Sequence, residues 1–246
     1  MPDRMGYRAK WGLIVPERNT VCESELHRAV PDGITINTAR VSRNTPAAWS
    51  NDKEFRDMSQ ATLDGRPAAL AQLAAAEVDH YIVGDAGFTI SREAHVALAA
   101  DYEKQTGKGV STAALAYLAA LERLGARRVA VITPRLPDSG VVSGGLWEEC
   151  GYTVAGAYGL NRHSAFEIAG TTEDMLRTGM AEMGATDAEV VLVTGTNLYA
   201  MHLADAAERA LGKPILHINA VLLWHALRQC GFDDRIDGCG RLLREH

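Results

Sequence analysis

Little in this sequence points to a metal, a disulfide frame or a membrane. Its four cysteines, Cys22, Cys150, Cys230 and Cys239, are scattered through 246 residues with no C-x-x-C. In a chain of this size that excludes a disulfide scaffold and fits reduced thiols. None of the eight histidines forms an H-x-H or H-x-x-x-H pair, so metal-ligand spacing is missing and no metal is expected. No stretch of 18 apolar residues occurs, which excludes a membrane-spanning helix. Met1-Pro2-Asp3-Arg4 opens without an apolar signal region, so the expected location is the cytoplasm. Basic charge is short too: 25 Lys and Arg face 31 Asp and Glu, a net charge of −6, and no nucleic-acid footprint remains. Aromatics make up 6% of the chain. With 47% hydrophobic and 23% charged residues, the composition is that of an ordinary globular protein, not a disordered or fibrous one.

What is present is alternation. Short β-branched runs stand at 11–16, 34–41, 81–84, 128–133, 152–158, 190–193 and 215–218. Ala/Leu-rich segments of helical period fill 62–77, 91–105, 113–124, 165–183, 198–211 and 220–229. Continuous apolar strands separated by helices predict a parallel sheet buried on both faces, an α/β protein. Thr20-Val-Cys-Glu23 and Ser164-Ala-Phe-Glu167 have the spacing of helix-opening capping boxes. The first places Asn19 in the turn at the C-terminal end of strand one, where open α/β sheets bind ligands.

The chain also reads as two copies of one unit. Gly12-Leu-Ile-Val-Pro16 is similar to Val129-Ala-Val-Ile-Thr-Pro134, and Val78–Asp85 to Ala188–Gly195. Gly107-Lys-Gly-Val with Thr112-Ala-Ala-Leu115 is similar to Gly212-Lys-Pro-Ile with Asn219-Ala-Val-Leu222. The offsets, 118, 110 and 107 residues, drift as loop lengths would make them. The prediction is two pseudo-symmetric flavodoxin-like lobes with parallel sheets, residues 1–122 and 123–246, forming one compact duplicated unit. The last helix of the first lobe is free to cross over. Pro16, Asp85, Pro134 and Gly195 should stand at strand ends around one cleft.

Val15-Pro-Glu-Arg-Asn-Thr20, Ile132-Thr-Pro134, Gly195-Thr-Asn197 and Gly238-Cys-Gly-Arg-Leu242 together resemble the motifs of the maleate cis–trans isomerase and arylmalonate decarboxylase group, within the aspartate/glutamate racemase superfamily. The resemblance implies a cofactor-free site between the lobes. It implies two facing cysteines working at a carbon next to a carboxylate. Here both are replaced: Asp85 stands at the first position and Gly195 at the second. The hydroxyl residues after the first cysteine give way to Ala86 and Gly87, and the tyrosine after Thr-Pro to Arg135. Asn19 keeps the position that contacts a substrate carboxylate, Thr196 and Asn197 follow the second cysteine position, and Asn161 corresponds to another carboxylate contact.

These departures shape the chemistry. Gly195 offers no second base, so two-base racemisation is not expected. A carboxylate is a poor conjugate nucleophile, so thiolate-type addition to an alkene is not expected either. Asp85 suits general acid–base work or activation of water. Gly84, Ala86, Gly87, Gly195, Thr196, Asn197, Asn19, Asn161 and Arg135 are the candidate substrate-binding residues. Arg135 brings a planar fork for a carboxylate. Plain alternatives stand beside these readings. An aspartate such as Asp85 also caps turns, an asparagine such as Asn19 also serves only to shape one, and Arg135 falls in a turn-rich loop that suits a solvated charge. His217 and His225 read as core or interface residues, His163 as exposed, and Trp49 as part of a mobile loop with a lid role. The Gly-rich stretch 139–145 fits no nucleotide motif. The preferred function is a lyase or isomerase moving a proton on a small carboxylated metabolite, without cofactor. A hydrolase of a small amide, imide or lactone, and a non-catalytic acid-binding protein, are the alternatives. The oligomeric state leaves no trace, and a homo-oligomer is compatible with the sequence.

Overall fold

Alternate residues of the first strand feed two different cores. Trp11, Leu13 and Val15 of β1 (Ala9–Pro16) face one way and Ile14 the other, all of them fully buried. That is the pattern a parallel strand covered on both faces requires. The computed structural model describes residues 3–85, 91–135 and 146–246. In its first half β1 is followed by α1 (Cys22–Ala29), β2 (Ile34–Val41), α2 (Asp52–Ala75), β3 (His80–Val83), α3 (Arg92–Thr106), β4 (Val110–Thr112) and α4 (Ala113–Leu124). The second half runs β5 (Arg128–Thr133), α5 (Leu146–Glu149), β6 (Thr153–Gly159), α6 (Ala165–Ala169), α7 (Glu173–Gly184) and β7 (Val190–Val193). It ends with α8 (Ala204–Leu211), β8 (Ile215–His217), α9 (Ile218–Gln229) and α10 (Arg241–Glu245).

Both halves build a four-stranded sheet, in the orders β2-β1-β3-β4 and β6-β5-β7-β8, with every pairing parallel. The two orders are the same, as the internal repeat predicts. The likeness reaches single residues. Gly107 and Gly212 end α3 and α8 in the left-handed conformation, at φ 68° and 69°, and each is followed by a lysine and a short strand. Glycine fits there because it has no Cβ to clash.

The inner faces of the two sheets share one core with α4 and α9. Trp11, Leu13 and Val15 of β1 and Val129 and Val131 of β5 meet Tyr117, Leu121, Leu222 and Leu223 in it. Full burial stabilises each such side chain by about 1.5–3 kcal/mol. Tyr117 of α4 reaches across to the carbonyls of Val193 and Leu216 in the second sheet (2.8 and 3.2 Å). The outer faces carry separate cores, one under α2 with Leu70 and Leu73, the other under α7 with Leu176 and Met180. No helix among the described residues is long and apolar enough to cross a membrane.

Three local expectations need correction. α2 begins at Asp52, not Thr62, because Asn51 caps it: its side chain accepts from Glu54 N at 3.0 Å. The helix then continues through Pro67. The segment 165–183 is broken, with α6 ending at Ala169 and α7 starting at Glu173 under a Thr172 cap. Thr20 does not cap α1. The N-cap position is Val21, and Asn19 closes the turn before it, its Oδ1 accepting from Val21 N (3.1 Å) and Cys22 N (3.0 Å). At the other expected box Ser164 Oγ accepts from Glu167 N (3.1 Å), while Glu167 reaches back to His163 N (2.9 Å).

Candidate active site

A cavity of about 150 Å³ opens between the C-terminal strand ends of the two sheets. A cavity of that size takes a benzene-sized molecule. Pro16, Asp85, Pro134 and Gly195, which follow or close β1, β3, β5 and β7, all line it. The frame around it is tied across the lobes. Asn19 Nδ2 donates to Thr196 Oγ1 (2.9 Å), and that hydroxyl donates to the Gly84 carbonyl (3.0 Å). Asn197 accepts from Thr20 N (2.9 Å) and donates to the Ala165 carbonyl (2.7 Å). Deeper in the seam Glu25 of α1, itself buried, accepts from Ala200 N, Met201 N and Asn219 Nδ2 at 3.0, 2.9 and 2.6 Å. Buried polar groups are costly unless satisfied, so these bonds fix one relation between the two sheets.

Asp85 is the single carboxylate among the described lining residues. Its Oδ2 accepts from Arg66 Nε (3.1 Å) and Nη2 (2.5 Å). The Arg66 side chain is 4% exposed and that of Asp85 13%. Burial pulls the Arg66 guanidinium down and the Asp85 charge and hydrogen bond pull it up, with the net result above the ordinary arginine value. Arg43 enters from the segment after β2 and donates to Thr62 Oγ1 (3.3 Å). Burial and then the charge of Arg18 draw its guanidinium below the ordinary arginine value. The Arg135 guanidinium lies 3.8 Å above the centre of the Phe55 ring, a cation–π contact on the cavity wall. Trp49, Phe55, Met58, Leu63 and Ile168 make the rest of the lining largely apolar. A few fixed charges on an apolar wall are what small-molecule sites have.

The arylmalonate decarboxylase profile matches residues 86–243, well over half of the sequence. The chain belongs to the arylmalonate decarboxylase family. The fold agrees. The maleate cis–trans isomerase of Nocardia farcinica, solved with a covalently bound succinylcysteine intermediate, superposes with a TM-score of 0.83 at 20% identity, covering 97% of this chain and 99% of that one. A maleate isomerase from Pseudomonas putida S16 with maleate gives 0.85 at 19% identity over 96% and 97% of the two chains. An arylmalonate decarboxylase in its liganded form gives 0.80 at 20% identity over 97% and 100%. No functionally curated protein matches the sequence significantly.

Within this member of the arylmalonate decarboxylase family, the structure gathers Asn19, Asp85, Arg135, Gly195, Thr196 and Asn197 around the cavity. The side chains of Asn19, Thr196 and Asn197 are largely spent on one another. The backbone N–H groups of Gly195, Thr196 and Asn197 donate to no group among the described residues. Gly84 is not one of the lining residues. Its N–H continues the sheet to the Ile14 carbonyl (2.8 Å) and its own carbonyl takes Thr196. Asn161 stands apart from the lining, at φ 52°, with its Oδ1 2.9 Å from His163 Nε2. Ala86 and Gly87, and the 139–145 stretch, lie outside the described residues. Trp49, expected in a mobile loop with a lid role, is a buried residue of the cavity wall. Its N–H donates to the His163 carbonyl (2.9 Å) and its ring meets Phe55 edge-on at 5.3 Å. Arg135 is likewise buried, not solvated. No cysteine is among the lining residues, and no His/Cys/Asp/Glu cluster able to hold a metal occurs among the described residues.

Sequence reasoning missed the α2 face. Phe55, Met58, Thr62 and Arg66 recur at three- and four-residue intervals and all line the cavity. The missed signal was Asn51-x-x-Glu54, a capping box eleven residues upstream of the expected helix start.

Proposed function

We propose that this protein is a cofactor-independent enzyme that moves a proton at the carbon next to a carboxylate in a small organic acid, a lyase or isomerase with Asp85 as general base. The observation that carries this reading is the pairing of the cavity's single described carboxylate with a buried Arg66. A carboxylate fixed by an arginine at a strand end is a proton acceptor held in place. The family supports a small carboxylated substrate, as do the related structures with maleate and with a succinylcysteine. Thiolate addition has no counterpart here, since no cysteine lines the cavity, so Asp85 works by proton transfer. Gly195, at the matching strand end, has no group to offer from the opposite face. The base therefore removes and returns the proton from one side. Charge developing on the substrate carboxylate is met by the N–H groups of 195–197, which have no partner among the described residues, and such preorganised donors contribute on the order of 3–4 kcal/mol each.

The test needs no prior substrate. A panel of small carboxylic acids is incubated with the enzyme in D₂O, and loss of the α-proton is followed by NMR. Exchange in at least one acid, abolished in Asp85→Asn, is expected. Acids that bind but never exchange would favour the non-catalytic binding protein.

A further inference from the structure

One wall of the cavity carries more positive charge than the proposed reaction uses. Arg43 and Arg66 both line it: Arg43 donates to the Thr62 hydroxyl, and Arg66 sits one turn beyond Thr62 along the same face of α2. Both arginines are more than nine-tenths buried. Arg66 gives its Nε and Nη2 to Asp85, but its Nη1 has no hydrogen-bond partner among the described residues. Nor has Nε of Arg43. Glu17, whose charge also acts on Arg43, pairs with Arg18 and spends its Oε2 on the Ser42 hydroxyl and the backbone N–H of Arg43, so it takes neither of these donors. Buried guanidinium donors left unsatisfied are costly, and they are rare in finished structures.

We propose that Arg43 and Arg66 form a second anion subsite on the α2 wall, which grips a second anionic group of the substrate and keeps it through the reaction. This rests on the reading of the cavity as the substrate site. It narrows the chemistry. A carboxylate that leaves as carbon dioxide gives up its charge on the way to the transition state. Two arginines holding that charge stabilise the ground state more than the transition state, and so oppose its departure. The group held there is a handle, and the proton is moved elsewhere on the molecule. The small cavity restricts the ligand to a short diacid or a similarly compact dianion.

The test compares short diacids with their half-amides, which replace one carboxylate by a neutral group of the same shape. Malonate, succinate and glutarate, each paired with its monoamide, are titrated calorimetrically into the wild-type protein, Arg43→Gln, Arg43→Lys and Asp85→Asn. At least one diacid is expected to bind the wild type about tenfold or more tightly than its half-amide, the scale of a charge-assisted hydrogen bond. The preference should collapse in Arg43→Gln, return in part in Arg43→Lys and survive in Asp85→Asn. Carboxyl-¹³C-labelled methylmalonate, incubated with the wild type, should release no labelled carbon dioxide. Equal binding of diacid and half-amide, a preference untouched by Arg43→Gln with the fold intact, or release of labelled carbon dioxide would each overturn the subsite. Proton exchange without any diacid preference would remove the subsite and leave Asp85 as base. A diacid preference without exchange would do the reverse.

Discussion

The two strand ends that face each other across the cavity come from equivalent places in two sheets of the same order, yet they are built for different work. At the end of β3, Gly84 leads into Asp85, and α2 brings Arg66 against it. At the end of β7, Thr194 leads into Gly195, at φ 103°, and then into Thr196 and Asn197, whose side chains bind the other lobe. The helices that follow the second strands differ in the same sense. α2 is one helix of 24 residues, and its face brings Phe55, Met58, Thr62 and Arg66 to the cavity. Its counterpart is broken into α6 and α7 and gives only Ala165 and Ile168. Duplication supplied the frame twice. The carboxylate and two of the arginines come from one side, and Arg135 with the neutral donors from the other.

The largest effect that can break this contrast is on rate. Asp85→Asn is expected to lower the exchange rate by a factor on the order of 10² to 10⁴, the range for losing a general base. Asparagine still accepts a hydrogen bond from Arg66, so the loss should appear in a folded protein. Thr196→Val, on the other side, deletes the bonds to Asn19 and to the Gly84 carbonyl. It should cost about 1–3 kcal/mol of stability and change the rate of the folded enzyme by less than about tenfold. A Thr196→Val rate loss equal to that of Asp85→Asn would place the chemistry on both sides.

The next effect concerns the seam that makes the two halves one unit. Away from the cavity, Ser111 Oγ lies 2.8 Å from His80 Nε2 and 2.7 Å from His225 Nδ1, joining β3 and β4 to α9. Burial, helped at His80 by the neighbouring His225, lowers both imidazoles from 6.5 to about 4. Each is therefore neutral in the fold at neutral pH, and the unfolded chain binds the extra protons first. Stability should stay level above about pH 6.5 and fall as the pH drops towards 4, by about 3 kcal/mol for each histidine at the acid end. Denaturant melts at pH 7.5 and 4.5 measure this. His225→Gln should flatten the slope, and an unchanged slope would show that the pair is protonated without penalty.

A third, smaller effect explains why the second strand end is bare. A Cβ at Gly195 would lie 3.0 Å from both Cδ and Cγ of Pro134, and φ 103° is a conformation L side chains rarely adopt. Gly195→Ala and Gly195→Cys should each cost about 1–3 kcal/mol, and a thiol placed there should not raise the exchange rate. Thermal melts check the first statement, since roughly 2–4 °C accompany each kcal/mol in a chain of this size. A Gly195→Cys protein as stable as the wild type, with a faster rate, would restore the symmetry denied here.

The frame was legible in the sequence, and the charged wall was not. Strands such as Val190–Val193 and Arg128–Thr133 are short apolar runs with clear ends, and the three repeated segments pair the strand ends. Asp85 stood out because the repeat set it opposite Gly195. Arg66 did not, because nothing in its neighbourhood ties it to a residue 19 positions away, and Pro67 beside it argues against a helix interior. Asn19 stands in the turn after β1, and its two bonds to the start of α1 depend on a turn geometry that Thr20-x-x-Glu23 imitates. Arg135 suits a solvated charge and Trp49 a mobile loop when only their neighbours in sequence are read. Their burial comes from Phe55, on helical turns that the sequence reading left as loop.

The smallest expected effect is none at all, and it bears on the same contrast. If neither strand end uses a thiol, alkylation should not touch the chemistry. Cys22 lies fully buried at the start of α1, and a Cβ built on Gly84 would come 3.0 Å from its sulfur, so the thiol packs beneath the end of β3. Burial, reinforced by Glu25 and Asp85, pushes it well above the ordinary thiol range. Cys239 is pushed up to about 11, again mainly by burial, and burial also raises Cys150 and Cys230. At pH 7 little thiolate exists at any of the four positions, and thiolate is the form that iodoacetamide attacks. Alkylation should therefore be slow. Mass spectrometry should find Cys150, Cys230 or Cys239 modified before Cys22, with the exchange rate within about twofold of the untreated enzyme when the fold is kept. Rapid inactivation at pH 7 that a bound diacid prevents would mean that a cysteine reaches the reacting carbon, and the division of labour between the two strand ends would have to be redrawn.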